Sequence, residues 1–244
     1  MSNERALVAL EQGEVPERYL RNIGTIGIAG QLLLLRAKVA VIGTGGLGGL
    51  VTELLARQGV GFIRIIDGDV FAPHNLNRQI MSTMAAVGQP KAAVAAARIA
   101  AINPDVTTEA VAEMLDEGNG PKLLEGINVA VDALDSIASR LILSTVCHQL
   151  AIPLVHAAIA GFTGQVTTLM PGGPGLEKIY KITAGTDRGI EVTLGNPAAT
   201  PALAASIEAQ EVVKLLTGIG EPLHNKLFYF DTELNIYETF SLDS

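Results

Sequence analysis

Five short stretches of the 244-residue sequence carry residue types whose order and spacing suit work on a phosphate. The stretch AVIGTGGLGG sets Gly43, Gly45, Gly46, Gly48 and Gly49 between an apolar run and a helix-like segment. Such a turn lets backbone N–H groups approach a phosphate, but alone it does not separate NAD, FAD and ATP. The DGD stretch puts Asp67 24 residues after Gly43, at the tip of the next β-branched run, with Asp69 just beyond. An acid there hydrogen-bonds ribose hydroxyls, in NAD and ATP equally. HNLNRQ then supplies Asn75, Asn77 and Arg78, VGQPK brings Lys91 to the start of a helix, and VDALDS ends another apolar run with Asp135.

The cations favour a triphosphate. A dehydrogenase has little use for a guanidinium and an ammonium beside its ribose-binding acid unless it must hold a 2′-phosphate. The glycine turn has no Walker lysine, so Arg78 and Lys91 are the groups left to neutralise phosphates. Asp135 could then hold Mg²⁺ bridging the phosphates. Blander readings stand beside these: glycines that serve only close helix–strand packing, Arg78 and Lys91 as solvated surface charges, and Asp135 as the cap of the helix that follows. His74 borders the phosphate loop, His148 and His224 read as surface positions, and their spacing suggests no metal site. His156 either lines a path into the site or is a satisfied core residue.

To converge, these stretches need strands that end side by side. Lys38 to Ile42 and Phe62 to Ile66 flank a helix-patterned segment, which makes a βαβ unit. The alanine-rich KAAVAAARIAAINP reads as a helix stopped at Asn103-Pro104, followed by a weak strand at Val106 to Val111, a buried strand at Asn128 to Leu134 and a helix from Ser136 to Leu150. This alternation predicts an α/β fold, a Rossmann-like and mostly parallel sheet with helices on both faces. After Pro153 the pattern changes to strands joined by short turns, an antiparallel extension of the sheet. Thr200-Pro201 reads as an N-cap and first helical position, with Gly218 closing that helix. One domain is expected: an N-terminal helical arm over 1–36, a nucleotide-binding part over 37–152, and an antiparallel extension over 153–244 with a crossover loop at 171–199.

Composition narrows the setting. With 17 Lys and Arg against 25 Asp and Glu, a net charge of −8 argues against a nucleic-acid partner held by bulk electrostatics. Arg36 and Lys38 interrupt the longest apolar tract, so no membrane span is expected, and the N-terminus lacks the pattern of a signal peptide. A single cysteine, Cys147, excludes an internal disulfide and fits a reducing cytoplasm.

Taken together, RYLRN, GTGGLGG, DGD, HNLNRQ, GQPK, INP and VDALDS strongly resemble the ThiF/MoeB/HesA family, bacterial relatives of ubiquitin-activating enzymes, in order and spacing from about Glu17 through Asp231. The resemblance implies an ATP- and Mg²⁺-dependent enzyme that adenylates the C-terminal Gly-Gly carboxylate of a small ubiquitin-like sulfur carrier. By position it implies that Gly43, Gly45, Gly46, Asp67, Asp69, Asn75, Arg78 and Lys91 bind the nucleotide and that Asp135 is the Mg²⁺-associated acid. Arg78, Lys91, Asp135 and Arg21 are the expected catalytic set, with Arg21 reaching the neighbouring site of a homodimer. Two departures qualify this. Neither Cys-x-x-Cys pair of many relatives is present, so no zinc site is expected, and the crossover loop has no cysteine for a thioester. Cys147 reads as a buried small residue. Other substrates of the same chemistry, such as a peptide, a tRNA base or a small molecule, remain open alternatives, as does an NAD-linked oxidoreductase.

Overall fold

A computed structural model describes residues 3–180 and 191–242. Its frame is one eight-stranded sheet: β1 Lys38–Ile42, β2 Phe62–Ile66, β3 Thr107–Val111, β4 Val129–Asp132, β5 Leu154–Ala160, β6 Thr163–Leu169, β7 Lys226–Asp231 and β8 Ile236–Ser241, in the order β3-β2-β1-β4-β5-β6-β7-β8. The first five strands run parallel, and β6, β7 and β8 continue antiparallel. β1 and β4 are covered on both faces, which is why they read as unbroken apolar runs.

Strand order reverses between β1 and β4, and the register there decides what meets. Ile42 pairs with Ile66 on one side and Asp132 on the other. The residues that follow, Gly43, Asp67 and Ala133 to Asp135, therefore emerge together beyond the carboxyl ends of three strands. In an open α/β sheet that crevice is where ligands bind.

One face is covered by α2 Leu20–Arg36, α3 Gly48–Gln58, α4 Lys91–Ile102 and α8 Ala199–Thr217; Val51, Leu55, Ile99 and Val212 are buried with Val39, Val41 and Ile65. The other face is covered by α6 Ile137–Gln149 and the single turn α5 Gly120–Leu123, with Leu143 and Val146 against Ala40, Ile42 and Leu154. A first helix, α1 Glu4–Glu11, packs on α2, which breaks at Gly27, where φ is 67°. A last short turn, α7 Glu191–Leu194, precedes α8.

Local details depart from the sequence reading in two places. α8 begins at Ala199, so Thr200 lies inside the first turn and is no N-cap. Its hydroxyl instead donates to Gly161 O at 2.7 Å, because the turn between β5 and β6 presents that carbonyl to the helix. α5 was hidden in a polar, glycine-rich stretch, and burial of Leu123 holds it. Gly218 does close α8, in the left-handed region at φ 71°.

Glu208, fully buried on α8, has both carboxylate oxygens without a hydrogen-bond partner among the described residues. Desolvation first, and Asp132 second, hold its carboxyl well above the ordinary glutamate range. The folded chain then keeps a proton that the unfolded chain releases at about pH 4.3, so stability falls as pH rises through that range toward the folded value. Glu208→Leu is expected to raise Tm at pH 8 by roughly 2–6 °C, the effect of about 1–2 kcal/mol, and to gain nothing near pH 4. Calorimetry across that range checks both the gain and its disappearance.

Candidate active site

The glycine turn contains two kinds of glycine. Gly43 has φ 93°, and a Cβ there would lie 2.5 Å from Ala133 O; at Gly48 it would lie 1.9 Å from Gly43 O. These two let strand, helix and the β4 loop close on one another. Gly45 and Gly46 line a cleft at the switch point, with Gly46 facing Pro201 and the stem of Arg78. The packing reading and the ligand reading thus apply to different members of one turn. Accordingly Gly48→Ala should cost upward of about 3 kcal/mol or prevent folding, while Gly46→Ala should stay within about 1 kcal/mol of the parent. Parallel denaturant melts of the two variants test that contrast.

Asp67 is 8 % exposed and ties this turn to its own loop. Oδ2 accepts the Thr44 N–H at 2.6 Å and Oδ1 the Asp69 N–H at 2.8 Å. Burial raises its pKa, against the pull of these bonds and of Lys91. Lys91, 7 % exposed at the start of α4, pairs with Asp69 Oδ2 at 2.8 Å, and its N–H donates to Asp69 O. Both side chains line the cleft. The ammonium is buried and held at the cleft wall, which excludes the reading of Lys91 as a solvated surface charge.

Within HNLNRQ the roles divide. Asn75 is buried, and its Oδ1 accepts the Ala72 N–H at 2.9 Å; it shapes the loop and does not line the cleft. Arg78 reaches the cleft half-buried, its Nη1 donating to Asn77 Oδ1 at 3.0 Å and His74 O at 3.2 Å. Gln79, which the sequence reading passed over, also lines it and has a buried Oε1 with no partner among the described residues. The exposed His74 contributes its backbone, and His148 and His224 are exposed.

Asp135 stands exposed at the rim. The cap of α6 is its neighbour Ser136, whose Oγ accepts the Ser139 N–H at 3.0 Å, so capping does not account for Asp135. Behind it lies a second group that the sequence reading missed. Asp132 is fully buried, with Oδ1 accepting the Leu134 N–H at 3.0 Å and Oδ2 at 2.7 Å from His156 Nδ1. Tyr180 Oη is 3.0 Å from His156 Nε2 and accepts from Arg140 Nη1 at 2.8 Å. Burial pushes the His156 pKa down, so the ring is neutral, with Nδ1–H given to Asp132 and Nε2 taking the tyrosine proton. His156 is a satisfied core residue. Arg140 also holds Leu134 O, through Nη2 at 2.7 Å.

Arg140, Asp135 and Ile159 belong both to this cleft and to a second, adjoining cavity lined by Ala158, Ala160, Gly164, Tyr180 and Tyr229. Gly164 is required in its wall because a Cβ there would lie 2.3 Å from the Phe230 ring. The Cys147 thiol, on the buried side of α6, is pushed up to about 12, which makes it inert.

Arg21 is exposed on α2 and lies outside the cleft of its own chain. Its arm is pinned by its motif neighbours. Asn103 Nδ2 donates to Tyr19 Oη at 3.1 Å and to Ala56 O at 2.9 Å, and Asn22 Nδ2 donates to Gln31 Oε1 at 2.9 Å. RYLRN and INP are thus one structural clamp. The start of the crossover is held by the fully buried Leu176, whose N–H donates to Ser144 Oγ. Its middle, 181–190, lies outside the described residues. Among the described residues no cluster of three His, Cys, Asp or Glu could hold a metal, and no helix is long and apolar enough to cross a membrane.

The chain is similar to known proteins in sequence and in fold. The SAMP-activating enzyme E1 of Haloferax volcanii is 39% identical over 227 residues, covering 91% of this chain and 84% of that protein. The sulfur carrier protein adenylyltransferase of Thermus thermophilus is 34% identical, covering 88% and 83%. In fold, the chain is similar to Escherichia coli MccB, crystallised with MccA-N7isoASN, with a TM-score of 0.81 at 23% identity over 93% of this chain and 71% of that one. The ThiF family model matches residues 19–244, and the chain belongs to the ThiF family.

Proposed function

We propose that this protein uses ATP to adenylate the C-terminal Gly-Gly carboxylate of a small ubiquitin-like sulfur carrier. The observation that carries the reading is convergence: the open face of the glycine turn, Asp67, Lys91, Arg78 and Asp135 border one cleft, and a second cavity adjoins it at Arg140, Asp135 and Ile159. A nucleotide fits the first and an extended glycine tail the second. The named activity of the Thermus relative supports the same reaction class.

The chemistry follows from charge. A carboxylate oxygen of the tail attacks the α-phosphorus, the bond from that phosphorus to the bridging oxygen breaks, and pyrophosphate leaves. No protein nucleophile is consumed, which suits a chain whose cysteine is buried and inert. Asp67 orients the ribose, while Lys91 and Arg78 counter the charge that grows on phosphate oxygens. Lys91, parked on Asp69 in the free protein, exchanges that carboxylate for phosphate. A lone rim carboxylate such as Asp135 suits Mg²⁺, which favours one or two protein ligands beside phosphates and water and which supplies further neutralisation when bound.

Arg21 acts in a homodimer, from one protomer into the site of the other. This predicts complementation between two inactive variants. Arg21→Ala and Arg78→Ala, each devoid of activity alone, should on mixing regain about a quarter of the parental rate, because half of randomly mixed dimers hold one intact site of two. Pure inactivity after confirmed subunit exchange would place Arg21 outside the site.

A further inference from the structure

We propose that Asn196 is a nucleotide-contacting residue whose carboxamide donates to the terminal phosphates of ATP. The inference rests on the nucleotide reading of the cleft and assigns it a residue that no motif marks. Asn196 lies on the segment that returns from the crossover into α8 and lines the cleft beside Arg78, Gln79 and Pro201. Its Oδ1 is buried and has no hydrogen-bond partner among the described residues. A buried amide end without a partner is costly in the free protein and calls for an explanation, and a ligand that meets that end of the carboxamide is one. A carboxamide presents two donors or two lone pairs to the same space by turning over, so the buried end can offer its NH₂ to phosphate oxygens.

The backbone around Asn196 fixes which part of the nucleotide it meets. Asn196 O accepts from Asn77 Nδ2 at 3.3 Å, and Asn77 Oδ1 in turn accepts from Arg78 at 3.0 Å. Gly195 O accepts the Gly161 N–H at 2.7 Å, which pins the segment to the turn after β5. Asn196 therefore shares the end of the cleft that holds the Arg78 guanidinium, and Asp67 marks the ribose end. A neutral donor there adds a contact to the triphosphate without needing a counter-ion when the cleft is empty.

Titration calorimetry of ATP·Mg²⁺, ADP·Mg²⁺ and AMP with wild-type protein, Asn196→Ala and Asn196→Asp tests this, together with Tm without nucleotide. The expected result is ATP affinity lowered about tenfold by N196A and further by N196D, the scale of one lost hydrogen bond and one added repulsion, with AMP affinity unchanged within about twofold. Unliganded Tm should be equal or higher in N196A, because an orphan oxygen is removed; a structural role would lower it. Unchanged ATP affinity, an equal loss for AMP, or a lowered unliganded Tm in both variants overturns the assignment. Wild-type protein that binds no ATP overturns the nucleotide reading along with it, so the two failures are told apart by the wild-type titration.

Discussion

Arg78→Ala is expected to lower the rate of adenylation by about 10²–10³-fold, the 2–4 kcal/mol typical of a preorganised charge-stabilising group, with fold and assembly unchanged. The structure separates the two effects. Among the described residues Arg78 holds Asn77 Oδ1 and His74 O on its own loop, both bonds that water can replace, and its stem rests on Gly46. Lys91→Ala should cost activity on the same scale but also stability, since it leaves Asp69 without its buried partner. Activity and denaturant midpoints measured together for the pair distinguish a guanidinium that serves the phosphates alone from an ammonium that also holds the fold. Full activity in R78A would remove Arg78 from the chemistry.

A large loss of stability is expected at Asp132→Ala, about 3–5 kcal/mol, or a Tm lower by roughly 10 °C. That carboxylate, fully buried, accepts from His156 and from the Leu134 N–H, and removing it strands both donors. The consequence reaches the site through His156 and Tyr180 to Arg140, which stands where the two cavities join. Tyr180→Phe breaks the same chain one link later and should cost only about 1–2 kcal/mol, because the phenylalanine ring keeps the packing. His156 adds a pH dependence of defined sign. Its folded pKa is depressed, so the unfolded chain binds the proton first and stability declines as pH falls below about 6.5 toward the folded value. Melts of the three proteins between pH 5 and 8 would show it.

The groups legible in the sequence were those that a short stretch of chain places by itself. The glycine turn, the acid at the tip of β2 and the cations after it all sit at strand ends, and strand ends can be read from apolar runs. Parallel register then brings Gly43, Asp67 and Asp135 together without further information. What was not legible depends on pairing across the sheet. Asp132 reads as the last residue of a buried strand, and nothing nearby announces that His156, beside it on β5, will donate its Nδ1–H to it. Arg140 is an ordinary polar position one turn into α6 until Tyr180 arrives from the crossover. Asn75 and Thr200 show the reverse case, in which a residue type suited to one task is claimed by a nearer backbone group, Ala72 N–H or Gly161 O.

The measurement that bears most directly on the account is ATP–pyrophosphate exchange with Mg²⁺, with and without a Gly-Gly-terminated ubiquitin-like protein from the same genome. The account predicts exchange that requires the carrier, disappears when its terminal glycine is removed, and is lost in R78A. Exchange that proceeds equally without any carrier, or none with every such carrier while ATP still binds, would contradict carboxylate adenylation of a sulfur carrier.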